Sequence, residues 1–267
     1  SKTIQGAIDK AKPGDLVLVS PGVYHEAVVI TTDRVVLRGT DRNKVILDGK
    51  YQLENGVKII DANGVAVENM TARRYERNGF FWTGAKGYRG SYLTSTRTGD
   101  YGIYAFDSVD GWFDHDYGSG SPDAGFYIGQ CYPCNAMLTD SISEYNGLGY
   151  SGTNAGGNLV ITNSLWRFNR AGIVPNSGTG EKEGAGQGGY SHAAIKPLRA
   201  DGREPAVETP AAAAENDFAR RSSHRLARHH ARVRPEVPAG PAPVRRGAPC
   251  RLRAARDPGR GRHPHPH

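Results

Sequence analysis

No apolar run in this sequence approaches the roughly 18 residues that a membrane-spanning helix needs, so an integral helical membrane protein is excluded. Cysteine is scarce, and three in 267 residues are too few for a disulfide scaffold. There is no Walker loop, no G-x-S-x-G and no H-E-x-x-H, so the common nucleotide, serine-hydrolase and zinc-protease readings lack their motifs. The chain opens at Ser1 with neither an initiator Met nor a signal peptide, which leaves the expectation of a fragment without its targeting segment.

What charge there is sits unevenly. Residues 1–177 carry 17 Lys+Arg against 18 Asp+Glu, and residues 178–267 carry 17 against 9, so the net +7 belongs entirely to the last 90 residues. All three Trp precede the break and most Pro and His follow it. Such a tail has too few large apolar residues to offset its chain entropy, and disorder is expected over 178–267. Three readings of it stand side by side: a basic segment for an anionic partner, a solvated linker, or a wrong-frame translation of GC-rich DNA. No function, and no specific nucleic acid, is assigned to it.

Residues 55–177 repeat. Gly56, Gly79, Gly102 and Gly125 recur every 23 residues, each opening an apolar alternation, and the pattern resumes at Gly149 and Gly172 after one residue of slippage. Further markers follow at Gly64, Gly87, Gly111, Asn135 and Asn158, then at Asn69, Tyr92, Asp116, Asp140 and Asn163. Short extended segments of this kind cannot bury a face alone, but stacked coils enclose a continuous core. The expected inward set is Val57, Ile59, Phe80, Trp82, Ile103, Ala105, Phe126 and Ile128. An antiparallel sandwich is the weaker alternative.

The stretch from Thr3 to Glu26, then Val35-Val-Leu-Arg-Gly39 and Val45-Ile-Leu-Asp-Gly49, resembles the first coils of right-handed parallel β-helix proteins of the pectin-lyase-like group. The later coils are similar to the repeats of the NosD-like branch. The resemblance covers residues 3–177 and implies an all-β solenoid with a short N-terminal capping helix, whose stripe here is Ile4, Ala7, Ile8 and Ala11. It fixes no activity, because this fold carries many. The paired-Asp motifs of polygalacturonases and the Asp-Phe-Ile-Phe-Gly stretch of pectin methylesterases are absent, so no catalytic residue carries over.

Two constellations point to chemistry. Phe81, Tyr104, Tyr127 and Tyr150 follow Lys58 at 23-residue steps, and alternation places them outward, where rings could receive a sugar chain or simply ladder on one another; a third reading turns the column inward, into the core. The second is an acidic patch of Asp107, Asp110, Asp114, Asp116 and Asp123 with His115, near Arg89 and Arg97. Carboxylates there could do acid/base work on glycosides, or hold Ca²⁺ for lyase chemistry on uronates, while Asp in turns is also ordinary. Counting from Gly111 turns His115 outward and Asp114 inward, and a shift of one reverses them. Cys131-Tyr-Pro-Cys134 suits a local disulfide or packed thiols better than a redox or metal pair.

The expectation is a secreted, periplasmic or cell-surface β-helix recognising, and potentially cleaving, an acidic polysaccharide. Asp107, Asp114 and His115 are the candidate reactive groups; Phe81, Tyr104, Tyr127, Tyr150 and Arg89 are the candidate binding groups. A non-catalytic scaffold or adhesin, and a copper-site accessory protein, are the alternatives.

Overall fold

The recurring glycines mark where successive coils come closest. A Cβ on Gly102 would stand 2.5 Å from the Gly125 carbonyl oxygen, and one on Gly56 would stand 2.4 Å from that of Gly79. No side chain fits such a gap. Around these contacts the computed structural model winds into a right-handed parallel β-helix of about seven coils. It describes residues 1–176 and the backbone of two later strands, Ala193–Lys196 and His230–Val233.

Each full coil contributes one strand to each of three parallel sheets. Sheet A holds Arg89–Ser91 beside Trp112–Asp114, sheet B holds Thr94–Thr96 beside Tyr117–Ser119, and sheet C holds Ile103–Phe106 beside Ala124–Gly129. All eight residues expected to face inward are fully buried. The chain passes from sheet A to sheet B through a single left-handed residue, at Asn69, Tyr92, His115, Asp140 and Asn163 in successive coils, with φ between 47° and 56°. It leaves sheet C through a second such corner, which includes Asp61, Asp107 and Gln130.

The N-terminal helix, Ile4–Ile8, buries Ile4, Ala7 and Ile8 over the first coil, as the stripe predicts. Thr3 Oγ1 accepts the Gly6 N–H at 3.0 Å, and the Glu26 carboxylate accepts those of Ile4 and Gln5. The Gln5 side chain pairs with the exposed edge of Val28–Ile30, donating to the Val29 carbonyl at 3.0 Å and accepting its N–H at 2.7 Å. On sheet B the Asp48 carboxylate, almost fully buried, is held by Arg73 and Arg74.

Two register assignments need correction. Arg89 pairs with Trp112, so Asp110 and not Gly111 follows Gly64 and Gly87, and His115 and not Asp116 follows Asn69 and Tyr92. Trp112 then pairs with Met137, two residues beyond the 23-residue step. The extra residues fall in the corner closed by Cys131 and Cys134, which form a disulfide. A later corner is one residue shorter, and Phe126 pairs with Tyr150. That net shift of one moves Tyr150 to the inward face, where it is fully buried and its hydroxyl donates to the Ile128 carbonyl at 3.0 Å.

The tail reading falls mostly outside the described residues. Two described segments depart from the expectation of disorder over 178–267. Ala193–Lys196 pairs with Leu159–Thr162, and His230–Val233 pairs with Leu16–Val19. A sheet edge offers unpaired backbone groups, and pairing with them makes little demand on side-chain identity.

Candidate functional site

The outward row on sheet C comes first. Phe81 and Tyr104 are half-buried and stack at 4.5 Å between centroids, 8° from parallel. Rings lying side by side in one plane cannot come that close, so the two faces meet and their edges point outward. Lys58 Nζ lies 5.4 Å from the Phe81 centroid, and Tyr101 stacks on Tyr104 at 4.5 Å. Tyr127 meets Tyr104 edge-on at 4.8 Å and is itself buried. The faces a sugar ring would need are therefore largely taken up by neighbours, which favours the ladder over the platform.

The acids do not form one patch. Asp107 occupies the left-handed corner leaving sheet C, where its N–H donates to the Gly129 carbonyl. Asp110 accepts from Asn135 Nδ2 at 3.0 Å, and Asp123 is exposed beside Tyr101. Only Asp114, His115 and Asp116 share one place, the corner between sheets A and B. Arg97 lies at the far end of sheet B from them.

At that corner two coils build one arrangement, because Ser91 pairs with Asp114 and Tyr92 stands beside His115. Asp114 lies on the outer side of its strand but is covered. Its Oδ2 accepts from the Ser91 hydroxyl at 2.9 Å and lies 3.0 Å from His115 Nδ1, while Arg89 Nη2 approaches Oδ1 at 3.4 Å. The imidazole is 47% exposed and stacks on Tyr92 at 4.6 Å, 14° from parallel. The stacking that spoils a sugar platform suits a base, since an imidazole acts through its edge. With Nδ1 turned to Asp114, Nε2 is the nitrogen left to face solvent.

Beneath the corner lies Asp116, which the sequence placed one position too early. Its side chain is buried, Oδ1 accepts the Leu93 N–H at 2.7 Å, and Oδ2 has no partner among the described residues. Burial pushes this carboxyl well above the usual range, with Asp114 adding to the rise and the Leu93 N–H, Arg42 and Arg89 opposing it. Arg42 arrives from the loop at residues 40–44, two coils before Leu93 and three before Asp116. Its guanidinium donates to Thr94 Oγ1 at 2.7 Å and to the Leu93 carbonyl, and burial lowers its pKa while Asp116 opposes the fall.

Neither metal reading finds its donors. Among the described residues no group of three His, Cys, Asp or Glu side chains is arranged to hold a metal ion such as Ca²⁺. Cys131 and Cys134 are bonded to each other and buried, so they offer no thiolate to copper.

No family model and no curated protein matches the chain. Among solved structures it is similar to a pectin methylesterase in complex with a hexasaccharide, at 18% identity and TM-score 0.49, over 66% of this chain and 62% of that one. It is similar to a pectate lyase at 11% and 0.48, over 60% and 48%. A mannuronan C-5 epimerase A-module from Azotobacter vinelandii stands at 12% and 0.43, over 73% and 83%. The chain thus spans 62% of the methylesterase and 48% of the pectate lyase. Likeness at this level assigns neither activity nor substrate, and the fold rests on the strand pairing of this chain.

Proposed function

We propose that this protein is a secreted or cell-surface β-helix that processes an acidic polysaccharide by acid/base chemistry at the corner between sheets A and B. The observation that carries the reading is His115, oriented by Asp114 at 3.0 Å and held edge-outward on Tyr92. An imidazole with a buried carboxylate behind it is arranged to act as a general base through its outer nitrogen. On a polyuronate, His115 would take the proton next to a sugar carboxylate. The electron pair left behind forms a carbon–carbon double bond, the bond to the glycosidic oxygen breaks, and that oxygen leaves with a proton taken from water. Arg89 beside the dyad supplies positive charge for the carboxylate as its negative charge grows. The disulfide suits an oxidising compartment, and no described helix is long and apolar enough to cross a membrane.

Phe81, Tyr104, Tyr127 and Asp107 take no part in this proposal, because sheet C and its corner face away from His115. The test is incubation with polygalacturonate, alginate and hyaluronan, reading chain length and the ultraviolet absorbance of unsaturated uronate. His115→Ala and Asp114→Asn should each lower turnover by about 100-fold or more. A chain that turns over none of these polymers, or one indifferent to both substitutions, favours a non-catalytic scaffold, for which the closed ring ladder on sheet C is well suited.

A further inference from the structure

We propose that a basic stripe at the far end of sheet B, built by Lys50, Arg73, Arg74 and Arg97, is a docking site for the carboxylates of a polyuronate chain. The inference rests on the reading of the partner as an acidic polysaccharide, and it concerns binding away from His115 rather than turnover. Tyr92 and Arg97 flank opposite ends of one strand, Thr94–Thr96, so the stripe and the His115 corner are separate places.

Residues 1–177 carry 17 Lys+Arg against 18 Asp+Glu, so a local excess of one sign has to be made by the fold. Strand pairing makes it. Asp48, Arg73, Thr96 and Ser119 fall in one row of sheet B, and the corner beyond that row holds Arg74 and Arg97 on successive coils, both at φ 56°. The Arg74 N–H donates to the Thr96 carbonyl and the Arg97 N–H to the Ser119 carbonyl, so the two corners stand one strand spacing apart, about 4.8 Å. Gly120 follows in the same column, and the Arg97 stem lies along it: a Cβ there would meet Arg97 Cγ at 3.5 Å.

The charges along this stripe do not cancel. Asp48 is buried, takes the Lys50 N–H, and holds Arg73 and Arg74, whose side chains are each 37% exposed. Lys50 and Arg97 are exposed, and neither has an ion pair among the described residues. Of the acids nearby, Glu54 and Asp100 are both engaged by Arg77, and Glu76 is exposed. Even with Glu76 counted, four cations face two carboxylates. Asp48 fixes two of the guanidiniums before any ligand arrives, which lowers the ordering cost of binding. Each guanidinium is a planar fork that matches a carboxylate. A polymer can lie along an open sheet face without an enclosed pocket, because weak charge contacts add along its length.

The experiment measures binding of polygalacturonate to the full chain by calorimetry at low and moderate salt. It is made in a His115→Ala background, which removes any turnover that depends on the imidazole. Dextran serves as the neutral control and heparin as the sulfated one. Polygalacturonate should bind, dextran should not, and affinity should fall as salt rises. Arg97→Gln should weaken binding about fivefold and Arg97→Glu about tenfold or more. Melting temperature should stay the same in both, since the Arg97 side chain makes no ion pair among the described residues. Glu76→Gln should tighten binding. Affinity left intact by Arg97→Glu overturns the stripe, as does binding of heparin alone, equal binding of dextran, or no binding of polygalacturonate at low salt. A stripe that binds in a protein inert on every polymer leaves this inference standing and removes only the catalytic one.

Discussion

The Ser91 hydroxyl donates to Oδ2 of Asp114, the same oxygen that faces His115 Nδ1, so one coil aligns the carboxylate that aligns the imidazole of the next. Ser91 touches no substrate in this arrangement and acts only through Asp114. Ser91→Ala should therefore lower kcat by roughly tenfold with KM nearly unchanged, while the lost hydrogen bond costs about 1 kcal/mol of stability. Ser91→Thr keeps the hydroxyl and should retain most of the rate. Steady-state kinetics on the best polyuronate, beside thermal melts, separates the two effects.

Asp48 gives an acid limb to stability. Burial opposes its charge, but Arg74, the Lys50 N–H and Arg73 outweigh burial and bring the carboxyl down to about 2. A depressed folded pKa contributes stability above the unfolded value near 4, and that contribution is lost as pH falls through about 2. Both arginines are more than a third exposed, which holds the contribution to about 2 kcal/mol at most. Melting temperature against pH should drop steeply on the acid side, and Asp48→Asn should flatten that drop while lowering stability at neutral pH.

Asp116 gives the opposite slope. Its folded pKa lies above the unfolded one, so its stabilising effect is complete below the ordinary carboxylate pKa and declines as pH rises towards the folded value. Asp116→Asn should raise the melting temperature at neutral pH and remove this decline. Unchanged melts at acid and neutral pH would mean that the carboxyl titrates normally.

Tyr150 and Phe81 should respond very differently to truncation. Tyr150→Ala empties a fully buried site and breaks the bond to Ile128, and should cost about 3–5 kcal/mol. Phe81→Ala removes a half-buried ladder ring and should cost about 1 kcal/mol. Denaturant unfolding of the two variants checks the assignment of faces.

The period was readable because it has a steric cause: a side chain at Gly102 has nowhere to go, so the glycine column survives in the sequence as a ruler. Up to Ile128 that ruler also sorts inside from outside correctly. Beyond it, two residues inserted near Cys131 and one removed before Leu148 leave the spacing from Tyr127 to Tyr150 at 23 while the faces exchange. The Tyr spacing hides the shift, but the glycine column records it: Gly149 comes one residue late, and Tyr150 follows it as Phe126 follows Gly125. At the corner, Asp114 and His115 were identifiable from residue type. Ser91 and Tyr92 could have been found by stepping back 23 from each. Arg42 could not, because it reaches Leu93 from 51 residues away along a loop that belongs to no repeat.

Gln5 has a consequence for how molecules of this kind could join. Its amide copies a peptide group, offering one donor and one acceptor to Val29, and so occupies the place where a foreign strand would dock on that edge of sheet C. At the other extreme of the same sheet, Ala171–Asn176 pairs on one side with Leu148–Thr153 and is followed in the sheet by no further strand among the described residues. Among the described residues, then, a side-chain amide guards one end of sheet C and a backbone strand forms the other.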